Sequence, residues 1–124
     1  MTLVLVMIAG GLGSGARYLV GQWAMRAIGP DFPYGTMIVN LAGCFALGVV
    51  AQLAASSTWT PEARAAVAAG FLGGFTTYSS FNQETLAMFT SGATGAALTN
   101  IAMTLLGGLA AGAAGVAAAR LAQS

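Results

Sequence analysis

Charge is what this sequence lacks most. Of its 124 residues only seven carry a full charge at neutral pH: Arg17, Arg26, Arg64 and Arg120, with Asp31, Glu62 and Glu84. Soluble domains average about 25% charged residues, and 6% is too little to coat a surface facing water. That argues against a soluble globular fold. A net charge of +1 leaves no basic patch for phosphates and no acidic run for a basic partner, so no nucleic-acid partner is expected. Histidine, the commonest metal ligand and general base, is absent altogether. The single cysteine, Cys44, can build neither an intramolecular disulfide nor a thiolate metal site. With no nucleophile beside a base, the chain does not read as an enzyme.

What the sequence has is apolar length. Hydrophobic residues make up 57% of it, and a helical crossing of a lipid bilayer takes about 20. Four crossings fit, at about residues 3–28, 34–55, 61–89 and 93–121, in one domain covering 1–124. The expected fold class is therefore all-α integral membrane. Gly29-Pro30-Asp31-Phe32-Pro33 stops the first run, Ser56-Ser57-Thr58-Trp59-Thr60-Pro61 the second and Thr90-Ser91-Gly92 the third. Thr60 can cap the third helix, with Pro61 at its first position and Glu62 facing the helix dipole. Met1-Thr2-Leu3-Val4 has no positive n-region, so the first helix is expected to stay in the mature protein.

Eighteen glycines and twenty-seven alanines include pairs four residues apart, Gly11 with Gly15 and Gly108 with Gly112. Such spacing lets membrane helices approach closely, although an alanine-rich composition produces it too. So small an apolar domain buries little against itself, and oligomerisation is expected. Four crossings put both termini and the loop near residue 60 on one side, with Arg64 and Arg120, and leave Arg26 on the other. Arg17 joins Arg26 if it snorkels that way. Counted by the positive-inside rule, this is almost no bias, and it permits an antiparallel homodimer inserted both ways up.

Polar side chains inside membrane helices are costly and are functional candidates by default. Asn40 offers amide donors to an anion, or a hydrogen bond that glues two helices. In Gly73-Gly74-Phe75-Thr76-Thr77-Tyr78-Ser79-Ser80-Phe81, two glycines and two threonines are poor mid-span helix formers. A break there frees carbonyls that must line a cavity, bind a cation or find a donor; a tolerated Gly-Gly in a continuous helix is the plainer reading. Tyr78, Phe81 and Glu84 then share a face, and the positive edge of an aromatic ring attracts an anion. An aromatic packing stripe is the plainer reading there as well. Ser79 and Ser80 add hydroxyls, and Asn100, Thr104 and Gly108 share a face of the fourth run. Thr104 can also bond back to its own helix.

These blocks, together with Gly13-Ser14-Gly15-Ala16-Arg17-Tyr18, Gly35-Thr36 and Asn40-Leu41-Ala42-Gly43, closely resemble the Fluc family of fluoride channels, also called CrcB. The likeness covers essentially the whole chain in order. It implies four helices with the third broken mid-membrane, an antiparallel dual-topology homodimer with two fluoride pores, and a location in the cell inner or plasma membrane. It implies a structural sodium ion on the dimer axis, held by the backbone carbonyls of Gly73 and Thr76, which are hard donors suited to a hard cation. It places Tyr78 and Phe81 at the family's two pore phenylalanines, Asn40 at its pore asparagine, and Ser79, Ser80 and Thr104 along its hydroxyl track. Glu84 and Arg17 are candidates for the pore vestibule. Tyr78 stands where phenylalanine is commoner, and Asn100 where tyrosine is frequent.

The implied function is passive, selective export of fluoride that has entered as HF, relieving cytoplasmic toxicity. A small dual-topology drug/proton antiporter is the main rival. It needs a buried mid-membrane acid, and the first crossing offers only Arg17 while Glu84 lies about 12 Å beyond Thr76 along a helix. An assembly subunit with no transport of its own is the second rival.

Overall fold

The structure is a computed structural model describing residues 1–56 and 58–124; Ser57, in the second expected turn, lies outside the described residues. Every regular element among the described residues is helical. Helix α1 spans Thr2–Ala27, α2 Tyr34–Ser56 and α5 Thr94–Gln123, and each is long and apolar enough to cross a membrane. The third apolar run is divided. Its first half, α3, is a rod of Pro61–Arg64, a π-helical stretch Ala65–Leu72 and a last turn Gly73–Phe75. Its second half, α4, is Tyr78–Thr90. Between them Thr76 (φ −88°, ψ 159°) and Thr77 (φ −153°, ψ 114°) are fully extended.

The turns form as the sequence requires. Gly29 (φ 119°) and Gly92 (φ 86°) take the left-handed backbone that stops α1 and α4. After α4 the Ala93 N–H reaches back to Met88 O at 2.8 Å, closing off the helix end. Thr60 caps α3, its hydroxyl accepting from Ala63 N at 3.1 Å, with Pro61 in the first turn.

Two close helix pairs build the bundle, α1 with α3 and α2 with α5, joined through α1 and α2. Glycine sets the approach. A Cβ on Gly13 would run into the Phe71 carbonyl, and one on Gly74 into that of Gly10, so α1 and α3 meet backbone to backbone. Gly48 against Gly112, and Gly115 against Phe45, do the same for α2 and α5. The spacing pair Gly11 and Gly15 does not meet the chain's own helices: a Cβ on either would find nothing within 4 Å. It sits on the wrong side of α1, because helix phase and not spacing alone decides which glycine meets a neighbour. Gly108 and Gly112 do face α2, near Cys44. Leu3, Leu12, Leu19, Leu106 and Leu109 are more than half exposed, an apolar coat suited to lipid.

Candidate functional site

The site is the break in the third run. An α-helix that stops leaves its last carbonyls without ladder partners, and here those partners can be followed one by one. Leu72 O still accepts from Thr76 N at 3.0 Å and from Thr76 Oγ1 at 2.9 Å. The Gly73 carbonyl would take Thr77 N–H, but that group donates to Asn40 Oδ1 at 2.8 Å. The Thr76 carbonyl would take Ser80 N–H, which donates instead to Thr77 Oγ1 at 3.2 Å as the cap of α4. Gly74 O receives Arg17 Nε at 3.0 Å and Ser14 Oγ at 3.5 Å. Gly73 and Thr76 are therefore left with carbonyls whose natural donors are engaged elsewhere.

Arg17, unassigned from its spacing, thus places its charge at the negative end of α3, where the helix dipole favours a cation. It does not reach for an interface. Thr77 is the hub that sequence reasoning missed. Its carbonyl accepts from Asn40 Nδ2 at 3.0 Å, and its hydroxyl donates to Ser80 Oγ at 3.1 Å and lies 3.4 Å from Ser79 Oγ. The signal was available, because a Thr directly before a resumed helix is a preferred N-cap residue, its hydroxyl accepting from a backbone N–H of the first turn. Within the Gly-Gly-Phe-Thr-Thr block the chain opens at the two threonines, not at the glycines, which stay helical.

Asn40, Gly73, Thr76, Thr77, Tyr78, Phe81 and Thr104 line one cavity of about 300 Å³. The Tyr78 and Phe81 rings lie 5.8 Å apart, tilted by 57°. They differ in setting: Phe81 is 7% exposed and Tyr78 75%. Ser79, Ser80, Glu84 and Arg17 do not line this cavity. Glu84 lies on α4 beyond the rings and accepts from Thr36 Oγ1 on α2 at 2.7 Å. Asn100 points into the α4–α5 contact, where its Nδ2 donates to Thr85 Oγ1 at 2.9 Å. Thr104 donates to Asn100 Oδ1 at 3.5 Å and not to its own helix backbone. Arg64, bonded to Ala54 O at 2.9 Å, and Arg120, bonded to Gln52 Oε1 at 3.4 Å, sit together at the far end of α2.

The cavity wall thus carries neutral polar side chains and two aromatic rings among apolar residues such as Leu47, Leu72 and Leu105, beside a helix end that has given up part of its ladder. The family model described as CrcB-like protein, Camphor Resistance (CrcB), matches residues 4–116. A curated protein of Anaeromyxobacter dehalogenans strain 2CP-1, named fluoride-specific ion channel FluC, is 53% identical over 110 residues, 88% of this chain and 87% of its own. A protein of the same name from Anaeromyxobacter sp. strain K is 51% identical over 106 residues, 85% of this chain and 84% of its own. One from Rhizobium etli strain CFN 42, also so named, is 47% identical over 90 residues, 72% of each.

Proposed function

The chain belongs to the CrcB-like family, and from that membership we propose that it is a fluoride-selective channel that lets the ion leave the cell down its gradient. It is a multi-pass membrane transport protein, not an enzyme. The observation that carries the reading is the extended Thr76–Thr77 segment, which opens a membrane-crossing helix onto the cavity shared by Asn40, Tyr78, Phe81 and Thr104. Irregular backbone at membrane depth is tolerated where it lines such a cavity.

Fluoride is small and strongly hydrated, so a low-dielectric path must replace its water with donors. Asn40 has one amide hydrogen left after bonding Thr77 O. The Thr104 hydroxyl and the edge of the Phe81 ring continue the line, and the capped N-terminus of α4 adds the positive end of a helix dipole. None of these is a full cation, so an ion held by them can still move on. Ser79 and Ser80 support the path through Thr77, whose orientation they share. Glu84 is held by Thr36 beyond the rings and off the cavity wall. Drug/proton exchange, which needs an acid on the transport path, is therefore not favoured.

The working unit in this proposal is an antiparallel, dual-topology homodimer with two pores in the cell membrane, and Arg64 and Arg120 against Arg26 support it by giving so little bias between orientations. A structural sodium fits the Gly73 and Thr76 carbonyls, because both oxygens have lost their ladder donors and are hard ligands at a negative helix end. When bound, the ion supplies positive charge that compensates those oxygens.

The test is efflux from liposomes holding the purified protein, read with fluoride and chloride electrodes. Fluoride should leave rapidly and chloride should not, and Phe81→Ile should abolish the fluoride signal. Equal loss of both halides, or fluoride flux unchanged in Phe81→Ile, refutes the proposal.

A further inference from the structure

Asn100 is among the largest fully buried side chains in the structure, at 2% exposure. A buried amide must place its donors and its acceptor somewhere, and Asn100 places them in a chain of one polarity. Thr104 donates to Asn100 Oδ1, Asn100 Nδ2 donates to Thr85 Oγ1, and Thr85 donates to the Phe81 carbonyl at 2.7 Å. No member can be reversed cheaply. The single Thr85 proton is committed to Phe81, so Thr85 can only accept from Asn100, and turning the amide over would set its oxygen against Thr85 Oγ1. The chain starts at one lining residue of the cavity, Thr104, and ends at the backbone of another, Phe81, through Asn100 and Thr85, which do not line it; Thr85 lines a neighbouring cavity with Tyr78 and Phe81.

This matters because α4 is a half-helix. The extended Thr76–Thr77 segment interrupts the helical ladder between α3 and α4, so α4 is held by its side chains, to α2 through Glu84 and Thr36 and to α5 through Thr85. Among the described residues, Thr85 with Asn100 is the only side-chain hydrogen bond joining α4 to α5. We propose that Asn100 is a positioning residue for Phe81: through Thr85 it fixes the rotation of α4 against α5 and so the angle at which the Phe81 ring edge meets the ion, without touching the ion itself. The proposal rests on the channel reading above for its effect on transport, but not for its effect on the ring.

Two readouts separate these. A single 4-fluorophenylalanine at position 81, followed by fluorine NMR in fluoride-free bicelles, reports the ring directly. Asn100→Leu and Thr85→Val should each shift or split that resonance, and Thr85→Ser, which keeps the hydroxyl, should restore it. In liposomes of the unlabelled protein, the first two variants should lower the fluoride rate about tenfold, the factor that one net hydrogen bond supports. They should also raise the chloride-to-fluoride ratio, and the double variant should be no worse than the poorer single one. A resonance at 81 unmoved in both variants, with unchanged elution on size exclusion, overturns the proposal. So does a moved resonance with wild-type rate and ratio. If the unsubstituted protein passes no fluoride, the channel reading fails, while the resonance still decides whether Asn100 sets the ring.

Discussion

Replacing Asn40 should open the break. Its side chain serves Thr77 as a neighbouring strand would, accepting from the Thr77 N–H at 2.8 Å and donating to the Thr77 carbonyl at 3.0 Å. Asn40→Ala removes both bonds and strands both backbone groups inside a membrane. A stranded buried group costs about 1–3 kcal/mol, so the pair should cost ~2–6 kcal/mol. Thr77 also lines the 300 Å³ cavity, and water entering there can take up part of the loss, which favours the lower half of that range. Asn40→Asp makes the sharper test. An ionised carboxylate still accepts from the N–H but sets its second oxygen against the Thr77 carbonyl, whereas a protonated carboxyl restores one donor and one acceptor. Measured against the unsubstituted protein at each pH, the stability of Asn40→Asp should therefore rise as the pH falls. Unfolding in mixed detergent micelles, followed by Trp23 and Trp59 fluorescence and circular dichroism, measures both variants. Asn40→Ala within 0.5 kcal/mol of the unsubstituted protein, a difference no larger than an ordinary surface substitution gives, would refute the reasoning. So would an Asn40→Asp variant with no pH dependence of its own.

Gly13→Ala should force α1 away from the Phe71 carbonyl and lower stability by about 1–3 kcal/mol, the usual range for overpacking. Gly11→Ala, with open space around it, should be neutral or gain up to ~1 kcal/mol in helix propensity; equal melting temperatures for the two would contradict the packing described. Arg17→Gln loses a charge-assisted bond to Gly74 O and should cost about 1.5–3 kcal/mol, with Arg17→Lys between the two in the same unfolding assay. Exchanging sodium for a large organic cation should lower the melting temperature, and adding sodium back should restore it. A melting temperature indifferent to sodium would count against the Gly73 and Thr76 carbonyls as its ligands.

Much of this protein is determined by its sequence alone, because the causes are local. Seven charges in 124 residues leave lipid as the only compatible surroundings. The Gly29, Thr60-Pro61 and Gly92 signals place the turns, since positive φ, capping and a missing N–H each act within a few residues. The weak helix at residues 73–77 is legible for the same reason. What only the tertiary structure decided is where the polar groups go. Asn40 could be read as two donors for an anion, and the fold spends one of them on Thr77; Arg17 could not be placed until α3 brought Gly74 O to it. Gly11 and Gly13 differ in nothing local, yet only Gly13 faces α3. Asn100 turned inward to Thr85 because α4 and α5 meet there. Spacing along a helix tells which residues share a face, but a hydrogen bond needs its partner from another helix, and that partner exists only once the helices have packed.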